Sequence, residues 1–399
     1  MNKKTLCITL ILLGSVIFLS QCINKTEAFN DNRGKAYAGS ASCRQCHQAI
    51  YDSALLSAHF NATAPASKEN VHGNFNDGKN EFVYNNGTKV VMEERDSGLY
   101  QVVYVNGKEK QAYRFDITFG LRNAQTWLYW NDDNTYELPV SWYTSVHDWA
   151  TSPGFSSKDP DFKRLIGRDC FECHSSHISN KLNASTAGIT EVLVKNSIIY
   201  GIDCERCHGP AANHVNYQLE YPGIKTAKYI TLNRSLNQLQ KLDACALCHS
   251  GNDKLKIESR FKFRPGDTLA NFFMTQSNHT NSNDFDVHGN QYRLMAESNC
   301  FLGSKNMNCS SCHDPHRNAS NDLAYYSQKC MGCHNDASHD FCPMAASLGN
   351  SIKENCIDCH MPKKPSEAII FQMQGRFERS SYLLRTHRIA IYAAGEMKK

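Results

Sequence analysis

Apolar and polar positions divide the chain into three regimes. After Lys3 and Lys4 a continuous apolar run extends from Leu6 to Ser20, shorter than the ~20 residues a membrane-spanning helix needs. With its charged start, this is the pattern of an export signal. Further on, Tyr113, Phe115, Ile117 and Phe119 alternate with Arg114, Asp116 and Thr118. That is the period of two expected of a half-buried strand. Leu99 to Val105 is a second apolar, β-branched run. Asn86-Gly87 and Asn106-Gly107 lie between such runs and predict hairpin turns, since Gly and Asn accept positive φ. The antiparallel strands are expected over Gly73 to about Phe119, inside a cysteine-free, β-rich insert spanning 73–160. The aromatic stretch from Trp127 to Trp149 is expected to close the core of that insert. From Asp161 onward neither period persists, and the chain reads as short helices and loops.

The third regime carries most of the chemistry. Cys-x-x-Cys-His occurs seven times, against about 0.03 copies expected from a shuffled chain of this composition. The copies are Cys43, Cys46 and His47; Cys170, Cys173 and His174; Cys204, Cys207 and His208; and Cys245, Cys248 and His249. The remaining three are Cys309, Cys312 and His313; Cys330, Cys333 and His334; and Cys356, Cys359 and His360. In this motif two thiols bond covalently to a haem and the adjacent imidazole becomes the first axial ligand of its iron. Zinc ribbons would instead pair half-sites, without a histidine after every second cysteine. Seven covalently bound c-type haems are therefore expected. The fold class is a multihaem cytochrome c: mainly short helices and loops wrapped around stacked haems, with a small antiparallel β insert. The macrocycles, more than side chains, should fill its core. The segments are then a signal over 1–22, a polar tether over 23–39, a first haem segment over 40–72, the insert over 73–160, and a six-haem domain over 161–399.

Covalent haem attachment requires thiols outside the reducing cytosol, in agreement with the export signal. The signal ends in Leu19-Ser20-Gln21-Cys22, which resembles a bacterial lipobox, although Gln21 replaces the usual small residue. The expectation is a periplasmic or outer-face protein with a lipid anchor at Cys22. Ordinary cleavage, with Cys22 incidental, is the alternative. The formal charge of +4 ignores two propionates per haem, so it gives no reason to expect nucleic acid as a partner. Arg168 and Lys241 read as solvated surface. Cys300 and Cys342 lie outside the motifs, as a disulfide or as two unlinked thiols.

Ten histidines remain outside the motifs, and they decide whether each iron is closed by a second axial ligand or left open to substrate. His177 and His316 each follow a proximal histidine by three residues. Neither can reach the far face of its own haem, so each should ligate a neighbour. His59, on a predicted helix after the first motif, His214 after the third, and His387 in Thr-His-Arg complete the favoured set. His288 and His339 come next, with His72, His147 and His279 as reserves.

Several of these stretches together resemble the multihaem cytochromes of the hydroxylamine-oxidoreductase superfamily, which include the tetrahaem cytochrome that accepts electrons from that enzyme. The matching residues are Gly39-Ser40-Ala41-Ser42-Cys43 with His59, Asp203-Cys204-Glu205-Arg206-Cys207-His208-Gly209-Pro210 with His214, and Phe263-Arg264-Pro265-Gly266-Asp267. To these are added Ser298-Asn299-Cys300, Cys309 through His316, Cys356-Ile357-Asp358-Cys359-His360-Met361-Pro362 and Thr386-His387-Arg388-Ile389. The resemblance implies close haem packing and bis-histidine ligation, and leaves the activity open. Two functions are consistent with it. One is an electron carrier linking a redox protein to a terminal reductase or oxidase. The other is an oxidoreductase with one open haem acting on nitrite, hydroxylamine or tetrathionate. No Cys-x-x-Cys-Lys, the motif at the catalytic haem of pentahaem nitrite reductases, occurs in the chain. With enough spare histidines to close every iron, the carrier is the favoured expectation.

Overall fold

The computed structural model describes residues 29–185, 188–251, 253–274, 285–335 and 341–393. The export signal, Cys22, His279 and His339 lie outside them. The first motif opens helix α1 (Arg44–Leu55), whose backbone leaves helical geometry at His47 (φ −117°, ψ 37°). The helix stops before His59, which sits in the following turn rather than on the predicted helix.

Two antiparallel sheets follow. One has the order β2 (Glu81–Val83), β3 (Lys89–Arg95), β4 (Gly98–Val105), β5 (Lys108–Arg114). The other runs β1 (Thr63–Pro65), β6 (Ile117–Phe119), β7 (Ala124–Asn131), β8 (Asn134–Glu137), β11 (Leu165–Ile166). Strand β9 (Val140–Tyr143) adds to β7, and β10 (Asp148–Thr151) to β9. Both Asn-Gly pairs turn hairpins. Asn106 (φ 52°) and Gly107 (φ 72°) join Val105 to its partner Lys108, the two-residue turn that suits the strand twist.

The alternating run from Tyr113 to Phe119 is two strands, not one. Phe115 N–H donates to Leu99 in the first sheet, whereas Asp116 N–H donates to Leu128 in the second. The chain thus changes sheets at a single peptide, and with it the core it serves: Tyr113 and Phe115 face the space between the sheets, whereas Ile117 and Phe119 face the far side of the second sheet. Between the sheets lie Phe82, Val90, Met92, Phe115, Leu138, Trp127 and Trp149, with Trp127 stacked on Phe115 at 4.6 Å. The sheet region reaches from Thr63 to Ile166, wider than the 73–160 insert expected. The outer face of the second sheet presents Ile117, Phe119 and Leu128 to Phe171, Ile178 and Phe261 of the haem-motif half. The sheet is thereby a wall for the second motif.

The rest of the chain also contains more strand than its sequence suggests, and over all the described residues strand and helix are nearly balanced at 25% and 28%. Helix α2 (Arg168–His174) leads into β12 (Ser175–His177), which pairs with β15 (Ile199–Tyr200) around the hairpin of β13 (Asn180–Ser185) and β14 (Gly188–Leu193). Then come α3 (Cys204–His208), α4 (Ala212–Glu220), α5 (Gln238–His249), α6 (Gln291–Ala296), α7 (Asn299–Leu302), α8 (Leu323–Met331), α9 (Ala345–Leu348) and α10 (Ile357–His360). A last hairpin, β16 (Lys363–Phe371) and β17 (Ser380–Arg385), returns to the sheets. Thr151 N–H donates to Gln372 and Gly154 N–H to Ile370. Pairings across such sequence distances leave no local period to read. Among the described residues no helix is long and apolar enough to cross a membrane.

The segment expected to be a tether is docked from Asp31 onward. Arg33, 6% exposed, binds Asp31, Asp203 and Glu205 at 2.8–3.0 Å, and Tyr37 and Ala38 are buried. Polar composition suggested a free linker, but here the polar groups are the attachment, since a desolvated guanidinium needs carboxylates.

Candidate haem-binding centres

The local fold of each centre follows from the motif. Asp203 caps α3 by accepting from Arg206 N–H, and Asn237 closes a capping box that starts α5. The first cap starts a helix that is the third motif itself, and the second starts a helix whose C-terminal end carries the fourth.

The motifs lie against one another. The thiols of Cys43 and Cys204 adjoin, as do those of Cys173 and Cys248, and of Cys245 and Cys309. Cys207 acts electrostatically on Cys245 and Cys248, and Cys330 feels Cys312 and Cys356. All seven motifs are thus connected: first to third, third to fourth, second to fourth, fourth to fifth, fifth to sixth, sixth to seventh.

Three proximal imidazoles face a histidine from outside the motifs, and a fourth, His174, lies within electrostatic range of one. His208 and His316 are nearly parallel (10°) with ring centres 5.9 Å apart. His249 and His59 are 6.2 Å apart and perpendicular, and His313 and His387 are 6.1 Å apart. A metal held axially between two imidazoles keeps their centres about 6 Å apart, since each metal–nitrogen bond is about 2 Å. His174 and His249 both lie within electrostatic range of His288. His316 therefore meets the third motif and not its own His313.

Burial and hydrogen bonding prepare these rings as ligands. Loss of solvation pushes His174, His249 and His387 down to about 4, so they are neutral, as metal binding requires. His174 and His249 are closely surrounded by protein and yet exposed to solvent. His360 Nδ1–H donates to Ala390 at 2.8 Å, His214 Nδ1–H to Lys228 at 2.9 Å, and His316 Nδ1 lies 3.2 Å from the Asp314 carboxylate. In each ring this leaves Nε2 for a metal, the usual role of a second partner. His387 Nδ1 is buried with no hydrogen-bond partner. The region of the last three motifs has almost no side-chain core. Between Met295 and Phe371, Ile357 and Pro362 are the only buried apolar residues among the described residues. Thiols, neutral imidazoles and an unfilled apolar requirement fit covalent haem.

Other placements differ from expectation. His177 meets no proximal imidazole among the described residues. Its Nε2 lies 3.0 Å from Ser179 Oγ, and Arg33, Arg168 and Arg206 surround it. His72 and His147 are exposed in the sheet region. Cys300 and Cys342 are unlinked thiols. Arg168, read as solvated surface, has a buried Nε without a hydrogen-bond partner. Sequence reasoning missed the aromatic supports as well. Phe119 of β6 stacks on His174 at 5.0 Å, and Tyr326 lies against His313 at 5.5 Å. It also passed over Glu172, fully buried inside the second motif, which accepts from Ser259 Oγ at 2.6 Å and pairs with Lys256 and Arg260. The signal was available: a carboxylate between the two cysteines of a Cys-x-x-Cys-His motif is an unusual thing to bury.

No family model matches the chain. Over 201 residues, 49% of its length, it is 23% identical to the multihaem cytochrome MtrA of Shewanella baltica (strain OS185). That match spans only 53% of the relative. The fold resembles the crystal structure of the outer cell wall cytochrome OcwA with a TM-score of 0.51 and 14% identity, over 89% of this chain and 79% of the other. Neither match names hydroxylamine oxidoreductase or its partner cytochrome, so that finer kinship rests on the quoted motifs. Attachment motifs, sequence match and fold agree on one class, and the chain is a multihaem c-type cytochrome with covalently bound haems.

Proposed function

We propose that this chain is an exported seven-haem electron carrier, lipid-tethered at Cys22, with every iron closed by two histidines. The observation that carries the reading is the approach of three proximal imidazoles to non-motif imidazoles at 5.9–6.2 Å. Bound c-type haems supply one-electron redox chemistry. The residues of this chain do the rest. His316, His59, His387 and His288 complete the centres of His208, His249, His313 and His174. His177, His214 and His339 remain for the first, sixth and seventh centres. Phe119 excludes water from one side of His174, and the contiguous motifs keep the centres within tunnelling reach of each other. A redox protein would dock at one end of the series and a terminal reductase or oxidase at the other.

A second reading is an oxidoreductase with one open iron, acting on nitrite, hydroxylamine or tetrathionate. It draws on His47 and His360, whose rings contact no non-motif imidazole among the described residues. Protein-film voltammetry separates the two. The carrier gives only reversible, non-catalytic signals when these compounds are added. A catalytic wave with any of them would overturn the carrier reading.

A further inference from the structure

Two half-buried guanidinium groups each keep a buried N–H donor without an acceptor. Arg168, two residues before the second motif, and Arg206, inside the third, both lie over the ring of Phe261, at 5.3 and 5.5 Å from its centre. His177 meets the same ring at 5.5 Å. The Nε atoms of both arginines are buried and have no hydrogen-bond partner. Nearby carboxylates are committed elsewhere. Asp203 and Glu205 are held by Arg33, and Glu172 by Ser259, Lys256 and Arg260. Arg168 comes no nearer than 4.0 Å to Glu172 or Glu191, beyond hydrogen-bond length. Arg206 has no carboxylate within 4.0 Å among the described residues, and its Nη2 donates to the backbone carbonyl of Glu172.

A guanidinium presents a fork of N–H donors matched to a carboxylate or similar oxyanion. Two partly buried guanidiniums against one aromatic ring, each with a buried and unused Nε–H, offer donors for an anionic group. We propose that Arg168 and Arg206 together bind a carboxylate-like anion beside Phe261 and His177. Two sources share this chemistry: the propionate of a haem on an adjoining motif, or a dissolved oxyanion. The first source rests on the haem-carrier reading, and the second does not.

The test uses the haem-loaded protein with Arg206→Gln, Arg206→Lys and Arg168→Gln, each checked by intact mass for an unchanged haem content. Arg168, with 22% of its side chain exposed, is the more permissive position should Arg206→Gln fail to accumulate. Spectroelectrochemical titration follows the haem potentials, and calorimetric titration with nitrite and sulfite follows anion binding. If the anion is a propionate, each Gln variant shifts one haem to a more negative potential, because a positive charge beside its carboxylate is lost. Arg206→Lys then retains most of the wild-type value, and neither salt binds. If the anion is dissolved, wild type binds nitrite or sulfite saturably, and each Gln variant weakens that binding at least tenfold with potentials unmoved in its absence. Unchanged potentials together with no anion binding would overturn the proposal. Failure of the carrier reading would register separately, as catalytic current in voltammetry.

Discussion

Replacement of His316 by alanine tests the pairing of centres at one point. His316 sits in a short turn after the fifth motif, parallel to His208 of the third, at 5.9 Å. Its side chain is 38% exposed and its one polar contact is with Asp314, itself 44% exposed. A polar contact of that exposure contributes at most a few tenths of a kcal/mol after screening. Truncation also leaves no closed cavity, so the loss of global stability should stay below about 1 kcal/mol. Covalent attachment is untouched, because Cys204, Cys207 and His208 remain. The effect falls on one iron, which loses one of two strong ligands and becomes high-spin, with a shifted potential. Low-temperature electron paramagnetic resonance with spin quantitation should show one new high-spin iron per protein, and His147→Ala should show none. An unchanged spectrum for His316→Ala, or conversion of several irons, would refute the assignment of His316 to the third centre.

Other consequences follow from the same structure. Trp127→Ala empties the space between the two sheets and should cost about 3–5 kcal/mol in chemical denaturation, with every iron unaltered in spin state. Chain made without haem attachment should keep the strand signal of residues 63–166 in circular dichroism, while limited proteolysis cuts preferentially between Asn299 and His360, where side chains supply almost no core; uniform resistance would contradict this. A Cβ at Gly201 would fall 1.8 Å from the carbonyl oxygen of Phe60, at φ +64°, so Gly201→Ala should lower the melting temperature by separating the first haem segment from the third motif. Cys22→Ser should move the protein from the membrane fraction to the soluble fraction, and an unchanged distribution would refute the lipid anchor.

What could be read in advance was whatever chemistry or a single turn dictates. Cys-x-x-Cys-His identifies haem because the attachment reaction needs those atoms in that order, and Asn106-Gly107 turns a hairpin because few residue pairs accept that backbone. Features set by distant partners stayed hidden. Arg33 looks like part of a polar linker until Asp203 and Glu205 are brought beside it. Strands β12 and β15 are too short to show a period and exist because residues 175–177 meet residues 199–200. The run from Tyr113 to Phe119 kept its alternation across a change of sheet, but its apolar side chains serve two different cores, one on each side of the second sheet. The distal histidines were visible as candidates, but their partners were not. That His316 meets His208, and His59 meets His249, depends on how the motifs stack.

The central claim is that every iron is closed, and the spin state of the oxidised, haem-loaded wild-type protein tests it most directly. Electron paramagnetic resonance before and after addition of nitrite should show low-spin ferric signals throughout, unchanged by the anion. A high-spin iron already present in wild type, and altered by nitrite, would contradict the account and place an open catalytic centre in the chain.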